Sequence, residues 1–322
     1  MNNSPSSHSI WQPQFECMPR AELAALQLAR LQKLLRSLHR NVPFYRNAFD
    51  AAGISPRDVT SLEQLPTLPF TTKADLRDNY PLGFLAVPRD RVIRYHGSSG
   101  TTGKPTFVAY TRADLRLWSD LCARFLTSGG LRPHHTAQVS FGYGLFTGGF
   151  GLHYGIERVG AGVIPVSSGN TDKQLTVLQD MNVDALISTP SYALKLIEAI
   201  RERNIDPRKL NLRLAFFGGE PWTEDMRLHI EDALPISTCN NYGLSEVIGP
   251  GVSGECHCHT GMHIQDDHFI VEVLDPDTLK PVPEGASGEL VFTTLTKQAF
   301  PLLRYRTRDI GPKARSTASP IK

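Results

Sequence analysis

At 322 residues the chain is long for one compact core and short for three, and ~150 residues per domain implies about two domains or subdomains. Hydrophobic residues at 40% and charged residues at 20% support a sizeable core and exclude a disordered chain. Lys+Arg 34 against Asp+Glu 32 is a near balance of +2, which argues against a polycationic nucleic-acid or membrane-surface protein.

The first fifteen or so residues are polar and read as loose. Residues 21–39 predict a helix, because Leu23, Leu26, Leu31, Leu34 and Leu38 recur at helical spacing with basic residues on the other face. Residues 53–90 are irregular and proline-rich, with a capped short helix beginning near Thr71–Leu76, so 1–90 reads as an N-terminal helical region. From residue 91 the pattern alternates. Strands are expected at 91–95, 106–110, 137–141, 162–166, 184–188, 213–217 and 236–240. Helices are expected at 112–126, 171–181, 191–203 and 223–234. This predicts an α/β part over 91–264, with layered sheets flanked by helices. FIVEVL, GELVFTTL and LLRYR then predict a smaller β-rich subdomain over 265–309, and 310–322 reads as a disordered tail. No internal repeat or low-complexity tract is evident.

The longest stretch without Asp, Glu, Lys or Arg, residues 133–156, carries six glycines and scattered polar groups, which argues against a bilayer helix. The N-terminus lacks the basic and apolar regions of a signal peptide. Five cysteines, an odd and low count, fit a reduced compartment. A cytoplasmic protein without membrane or nucleic-acid partners is expected.

The most informative decapeptide is Gly97-Ser98-Ser99-Gly100-Thr101-Thr102-Gly103-Lys104-Pro105-Thr106. Its glycines permit close backbone approach, and Ser98, Ser99, Thr101, Thr102 and Lys104 offer donors to phosphate oxygens. A Walker A loop is excluded, since Pro105 stands where Ser or Thr is required. A second segment, Phe141-Gly142-Tyr143-Gly144-Leu145-Phe146-Thr147-Gly148-Gly149-Phe150-Gly151, mixes aromatics with glycines. Such a segment can present ring edges and faces to a flat aromatic acid, with Phe141, Tyr143 and Gly144 as its candidate contacts. A third, Cys256-His257-Cys258-His259 followed by His263, offers thiolates and imidazole that suit Zn²⁺. Cys256, Cys258 and His263 are the candidate zinc ligands, with Cys239 as a fourth if its strand runs alongside; the alternative is a polar surface loop.

SSGTTGKPT resembles the phosphate loop of the acyl-adenylate-forming superfamily. WQPQFECMPR, FGYGLFTGGFG, FGGEPWT, NNYGLSEVIGPGV, DDHFIVEVLDP, GELVFTTLTK and LRYRTRD are similar to the AMP-forming phenylacetate–CoA ligases, in order, over residues 10–309. The resemblance implies the large N-terminal domain of an adenylate-forming enzyme. It implies that an aryl acid, phenylacetate first among the candidates, attacks the α-phosphate of ATP. Pyrophosphate leaves, and the thiol of CoA then displaces AMP. In these terms Ser98, Ser99, Thr101, Thr102 and Lys104 hold the phosphates, with Thr101, Lys104 and Glu246 acting in catalysis. Gly218, Gly219, Glu220 and Pro221 line the adenine, Tyr242 stacks on it beside Asn241 and Gly243, and Asp309 accepts from the ribose hydroxyls. Glu246 holds the Mg²⁺ that accompanies ATP. The superfamily also carries a C-terminal lid of about a hundred residues with a catalytic lysine. The sequence ends at Lys322, so an impaired ligase, half of a split enzyme with a partner chain supplying the lid, and a nucleotide-binding module all stay open, as does adenylation of another acid. A homodimer is expected.

Overall fold

The computed structural model describes residues 10–98 and 105–313. The positions expected at Ser99, Thr101, Thr102 and Lys104, and the tail from residue 314, lie outside the described residues. The chain forms two compact bodies. One consists of Pro13–Leu115 with the chain from Gln265 onward. The other consists of Arg116–Ile264 with the short stretch ending at Gln12.

The first body opens with helices α1 (Pro13–Glu16), α2 (Arg20–Asn41), α3 (Pro43–Ala52) and α4 (Lys73–Asp78). In α2 the buried positions are Leu31, Leu34, Leu35 and Leu38: three belong to the expected stripe, Leu35 joins them, and Leu23 and Leu26 near the start of the helix are only half-buried. Thr72 caps α4 through a capping box with Asp75. Strands β1 (Val92–Gly97) and β2 (Phe107–Thr111) pair antiparallel, and helix α5 (Arg112–Ser128) begins directly after them. Helix and hairpin end are tied to distant chain by Asp114. Its carboxylate accepts from the Thr111 amide at 2.8 Å and from the amides of Gln298 at 2.6 Å and Ala299 at 3.0 Å. The hairpin therefore belongs with the C-terminal strands, and the boundary falls at Leu115 rather than at residue 90.

Those C-terminal strands, β10 (Phe269–Leu274), β11 (Ser287–Thr294) and β12 (Tyr305–Pro312), form an antiparallel sheet in chain order. LLRYR becomes strand only from Tyr305, because Arg304 is committed elsewhere. Its guanidinium pairs with both Glu272 oxygens at 2.8 Å, donates to the carbonyls of Pro66 and Leu68, and lies 3.9 Å from the centre of the Phe70 ring. β12 continues through Pro312, past the expected boundary at 309.

The second body is a seven-stranded sheet in the order β4-β3-β5-β6-β7-β8-β9. Its strands are β3 (Thr136–Val139), β4 (Gly162–Ile164), β5 (Ala185–Ser188), β6 (Leu214–Gly218), β7 (Ser237–Leu244), β8 (Gly249–Glu255) and β9 (Met262–Ile264). The first five are parallel and the last two antiparallel. The parallel strands are joined through α6 (Gly148–Val159), α7 (Thr171–Asp180), α8 (Pro190–Glu202) and α9 (Glu224–Ala233). Burial on both faces explains the unbroken apolar strands ALIS and LAFFG. One core of this body gathers Leu186, Ile197, Phe217 and Ile230, among others, between sheet and helices.

Helix α6 is absent from the sequence expectation, since each interior Gly costs about 1 kcal/mol relative to Ala. Packing reverses that penalty. A Cβ on Gly151 would sit 2.5 Å from the Trp118 ring, and one on Gly155 would sit 2.4 Å from Cys122 Cβ. The two glycines, four apart on one face, let α6 lie directly against α5.

Candidate functional site

Chain order along the parallel strands reverses between β3 and β5. In open α/β sheets the crevice at the carboxyl ends of strands beside such a reversal is where ligands bind. Four segments emerge there: Ser140–Thr147 after β3, Thr189–Ser191 after β5, Gly218–Pro221 at the end of β6, and Asn240–Glu246 on and after β7. Three of them are segments singled out from the sequence.

Short contacts bind these segments together. Phe141 is buried, and its ring would lie 3.5 Å from a Cβ on Gly219, with the Thr189 methyl at 3.9 Å. Gly218 pairs with Asn241 across β6 and β7, and the Asn241 amide nitrogen lies 2.5 Å from where a Gly218 Cβ would stand. Thr147 and Ser245, both buried, share a hydroxyl hydrogen bond of 2.9 Å that ties the aromatic segment to the turn bearing Glu246. Asn241 is 6% exposed, and its side-chain oxygen is buried with no hydrogen-bond partner among the described residues. A buried amide oxygen without a partner costs about 1–3 kcal/mol, which an incoming donor recovers.

Glu220 has a local task. Its carboxylate accepts from the Ser191 amide at 2.7 Å, while Thr189 caps the Tyr192 amide. With Pro190 lacking an N–H, the first amides of α8 are occupied from within the chain. Tyr242 is half-buried and Glu246 buried. Tyr143 and Gly144 lie beyond Phe141, with Tyr143 half-buried and Gly144 exposed. Burial, reinforced by the Glu157 carboxylate, raises the Tyr143 phenol above its ordinary pKa.

In the other body, Ser98 closes the base of its loop by donating its amide to Thr106 O at 3.0 Å. Asp309 sits on a bulge. Val291 pairs with Arg306 and Glu289 with Ile310, so Thr307–Asp309 are looped out opposite Leu290. Arg308 takes φ 69° there, its amide donates to Glu289, and Thr307 donates to Leu290 O at 2.7 Å. The bulge leaves Asp309 exposed.

The sulfur and imidazole donors of Cys256, His257 and Cys258 lie within 4.8 Å of one another, and His263 Nε2 is 3.2 Å from Cys256 Sγ. Of the three candidate ligands, Cys256 and Cys258 fall in that group, and His263 lies beside Cys256. His257 joins them unforeseen, and the alternating CHCH run was its only signal. Cys239 falls outside that group among the described residues, and burial pushes its thiol up to about 12.

No helix of the described chain is long and apolar enough to cross a membrane. The AMP-binding enzyme family model matches residues 64–296. The phenylacetate–coenzyme A ligase of Thermus thermophilus is 51% identical over 302 residues, spanning 94% of this chain and 68% of the relative. That of Escherichia coli K12 is 50% identical over 303 residues, spanning 94% and 69%. Among solved structures, 2-hydroxyisobutyryl-CoA ligase with 2-HIB-AMP and CoA, in the thioesterification state, superposes with a TM-score of 0.92 at 30% identity, over 99% of this chain and 69% of that one. Its open conformation gives 0.91 at 29% identity, over 99% and 76%. An acid–thiol ligase accounts for all of these likenesses, and the chain belongs to the AMP-binding enzyme family, with the phenylacetate–coenzyme A ligases.

Proposed function

We propose that this chain activates an aryl carboxylic acid, phenylacetate foremost, to its acyl-adenylate and then to the CoA thioester. The observation that carries this reading is the meeting of the aromatic segment, Gly218–Gly219 and Asn241–Glu246 at the carboxyl ends of β3, β6 and β7. A carboxylate oxygen of the acid attacks the α-phosphorus and pyrophosphate leaves; the thiol of CoA then attacks the acyl carbon and AMP leaves. Such chemistry asks mainly for positioning and charge stabilisation. Phe141 and Tyr143 receive the ring, with Gly144 leaving room beside it. Gly218 and Gly219 present flat backbone to the adenine, Glu220 and Pro221 hold the turn, Asn241 Oδ1 accepts from a ring donor, and Tyr242 stacks. Ser98, Ser99, Thr101, Thr102 and Lys104 donate to the phosphates, and Asp309 accepts from the ribose. The buried Glu246 carboxylate suits the Mg²⁺ carried by ATP, a cation that takes one or two carboxylates plus phosphate oxygens. Pyrophosphate release that requires both ATP and phenylacetate, followed by thioester formation on adding CoA, is the expected assay result. Release independent of any aryl acid would refute the reading.

The Cys/His group fits zinc by a separate observation. The donor atoms of Cys256, His257 and Cys258 lie within 4.8 Å of one another and His263 Nε2 is 3.2 Å from Cys256 Sγ, thiol and imidazole groups of the kind Zn²⁺ takes. Cys256, His257, Cys258 and His263 would join the turn after β8 to β9. Elemental analysis of untagged protein should find about one zinc per chain, lost in Cys256→Ser. Zinc-free wild-type protein with unchanged melting would remove the assignment.

A further inference from the structure

Three polar side chains lead from the aromatic segment along α6 into solvent. Tyr143 Oη lies 3.2 Å from His153 Nδ1, and His153 Nε2 lies 3.3 Å from Glu157 Oε1. His153 and Glu157 are four residues apart on one helix face, so α6 itself fixes their spacing. The side chains grade outward, with His153 20% and Glu157 51% exposed. Two rings hold Tyr143 edge-on: Phe150 at 5.2 Å and His153 at 5.8 Å between centroids.

The neighbouring carboxylate biases which tautomer His153 adopts. An ionised carboxylate only accepts, so Glu157, 3.3 Å from Nε2, favours the His153 tautomer with its proton on that nitrogen. In that tautomer Nδ1 is an acceptor, and the Tyr143 hydroxyl donates its single proton to it. That leaves only lone pairs on the Tyr143 oxygen for any other partner. We propose that His153, oriented by Glu157, is a positioning residue that makes Tyr143 a hydrogen-bond acceptor toward the bound acid, so that the site favours aryl acids bearing a ring hydroxyl or amine over isosteric rings that cannot donate. The proposal rests on the reading that Tyr143 faces the acid.

The test compares each ring-hydroxylated phenylacetate (2-, 3- and 4-) with the methylphenylacetate of the same position, as a ratio of kcat/KM values. A hydroxyl and a methyl are similar in size, so the ratio reads donation rather than fit. In wild type the best position should favour hydroxyl by about fivefold, the value of one hydrogen bond of ~1 kcal/mol. His153→Phe and Tyr143→Phe should each bring that ratio to about one. The double variant should show no further loss, and His153→Gln, whose carbonyl accepts the phenolic proton, should restore part of it. A purely structural role for His153 would lower both rates together and keep the ratio; that result overturns the proposal, as does loss in Tyr143→Phe alone. Long-range ¹H–¹⁵N spectra of the histidines provide a check independent of turnover. A protonated Nδ1 at His153 in neutral wild type overturns the inference even if the enzyme activates phenylacetate normally. Absence of turnover on every aryl acid, with Nε2–H observed, refutes the functional reading and leaves the tautomer assignment standing.

Discussion

Gly243→Ala is expected to cost about 3 kcal/mol or more and to remove nucleotide affinity with it. The new Cβ would fall 1.9 Å from the carbonyl oxygen of Gly249, 2.7 Å from its carbon and 2.9 Å from Pro250 Cα. All three atoms are backbone, so no rotamer change relieves the clash and β7 and β8 must separate. Overpacking a core ordinarily costs about 1–3 kcal/mol, where side chains can give way. The position also lies between Tyr242 and Glu246, so any shift moves both. Gly144→Ala serves as the contrast, because a Cβ there meets nothing within 4 Å and its stability change should stay within about 0.5 kcal/mol. Denaturant unfolding measures both. Equal small effects would show that β7 and β8 yield freely at Gly243.

Arg227→Met is expected to destabilise by about 3–5 kcal/mol, the usual cost of stranding one member of a buried ion pair. Arg227 NH2 donates to both Glu255 oxygens, at 2.9 and 2.7 Å, and NH1 donates to Thr238 O and Oγ1. The side chains are 6% and 10% exposed. Glu255 also accepts from the Asn240 amide at 2.7 Å, so the pair anchors β7 just before Asn241 and Tyr242. The Arg227 guanidinium lies 4.6 Å from the centre of the Trp222 ring, in the turn that follows Gly218–Pro221. The double variant Arg227→Met, Glu255→Leu should recover most of the loss, since no charge is then left buried. A double variant less stable than Arg227→Met alone would show that the hydrogen bonds, and not the stranded charge, carry the effect.

The sequence was legible where local pattern and tertiary environment agree. The parallel strands are short apolar runs buried on both faces, and the helices between them carry ordinary apolar stripes. Legibility failed where composition and packing conflict. Strand β8 reads GPGVSGE, a turn by composition, yet all seven residues are buried. Trp118 fills the space its small residues leave, donating to Pro250 O at 2.9 Å. Helix α6 was hidden by the glycines that let it pack. The first body was mis-bounded because Asp114 finds its partners at Gln298 and Ala299, 184 and 185 residues away. For the candidate site, the family resemblance singles out Gly218–Pro221 and Asn241–Glu246. Spacing gave no sign that Glu220 caps α8, that Thr147 bonds Ser245, or that His153 and Glu157 stand behind Tyr143, since each depends on a strand or helix placing two distant residues together.

The central claim is that the carboxyl ends of β3, β6 and β7 accept an aryl acyl-adenylate. Isothermal titration with a non-hydrolysable phenylacetyl-adenylate analogue, its phosphate replaced by a sulfamate, tests that claim without requiring turnover. One site per chain is expected. In Gly218→Ala, where the new Cβ would lie 2.5 Å from both the side-chain nitrogen and the carbonyl oxygen of Asn241, affinity should fall at least tenfold, a change of about 1.4 kcal/mol. Folded wild-type protein that gives no heat with the analogue, or a Gly218→Ala variant that binds it as tightly as wild type, would contradict the account.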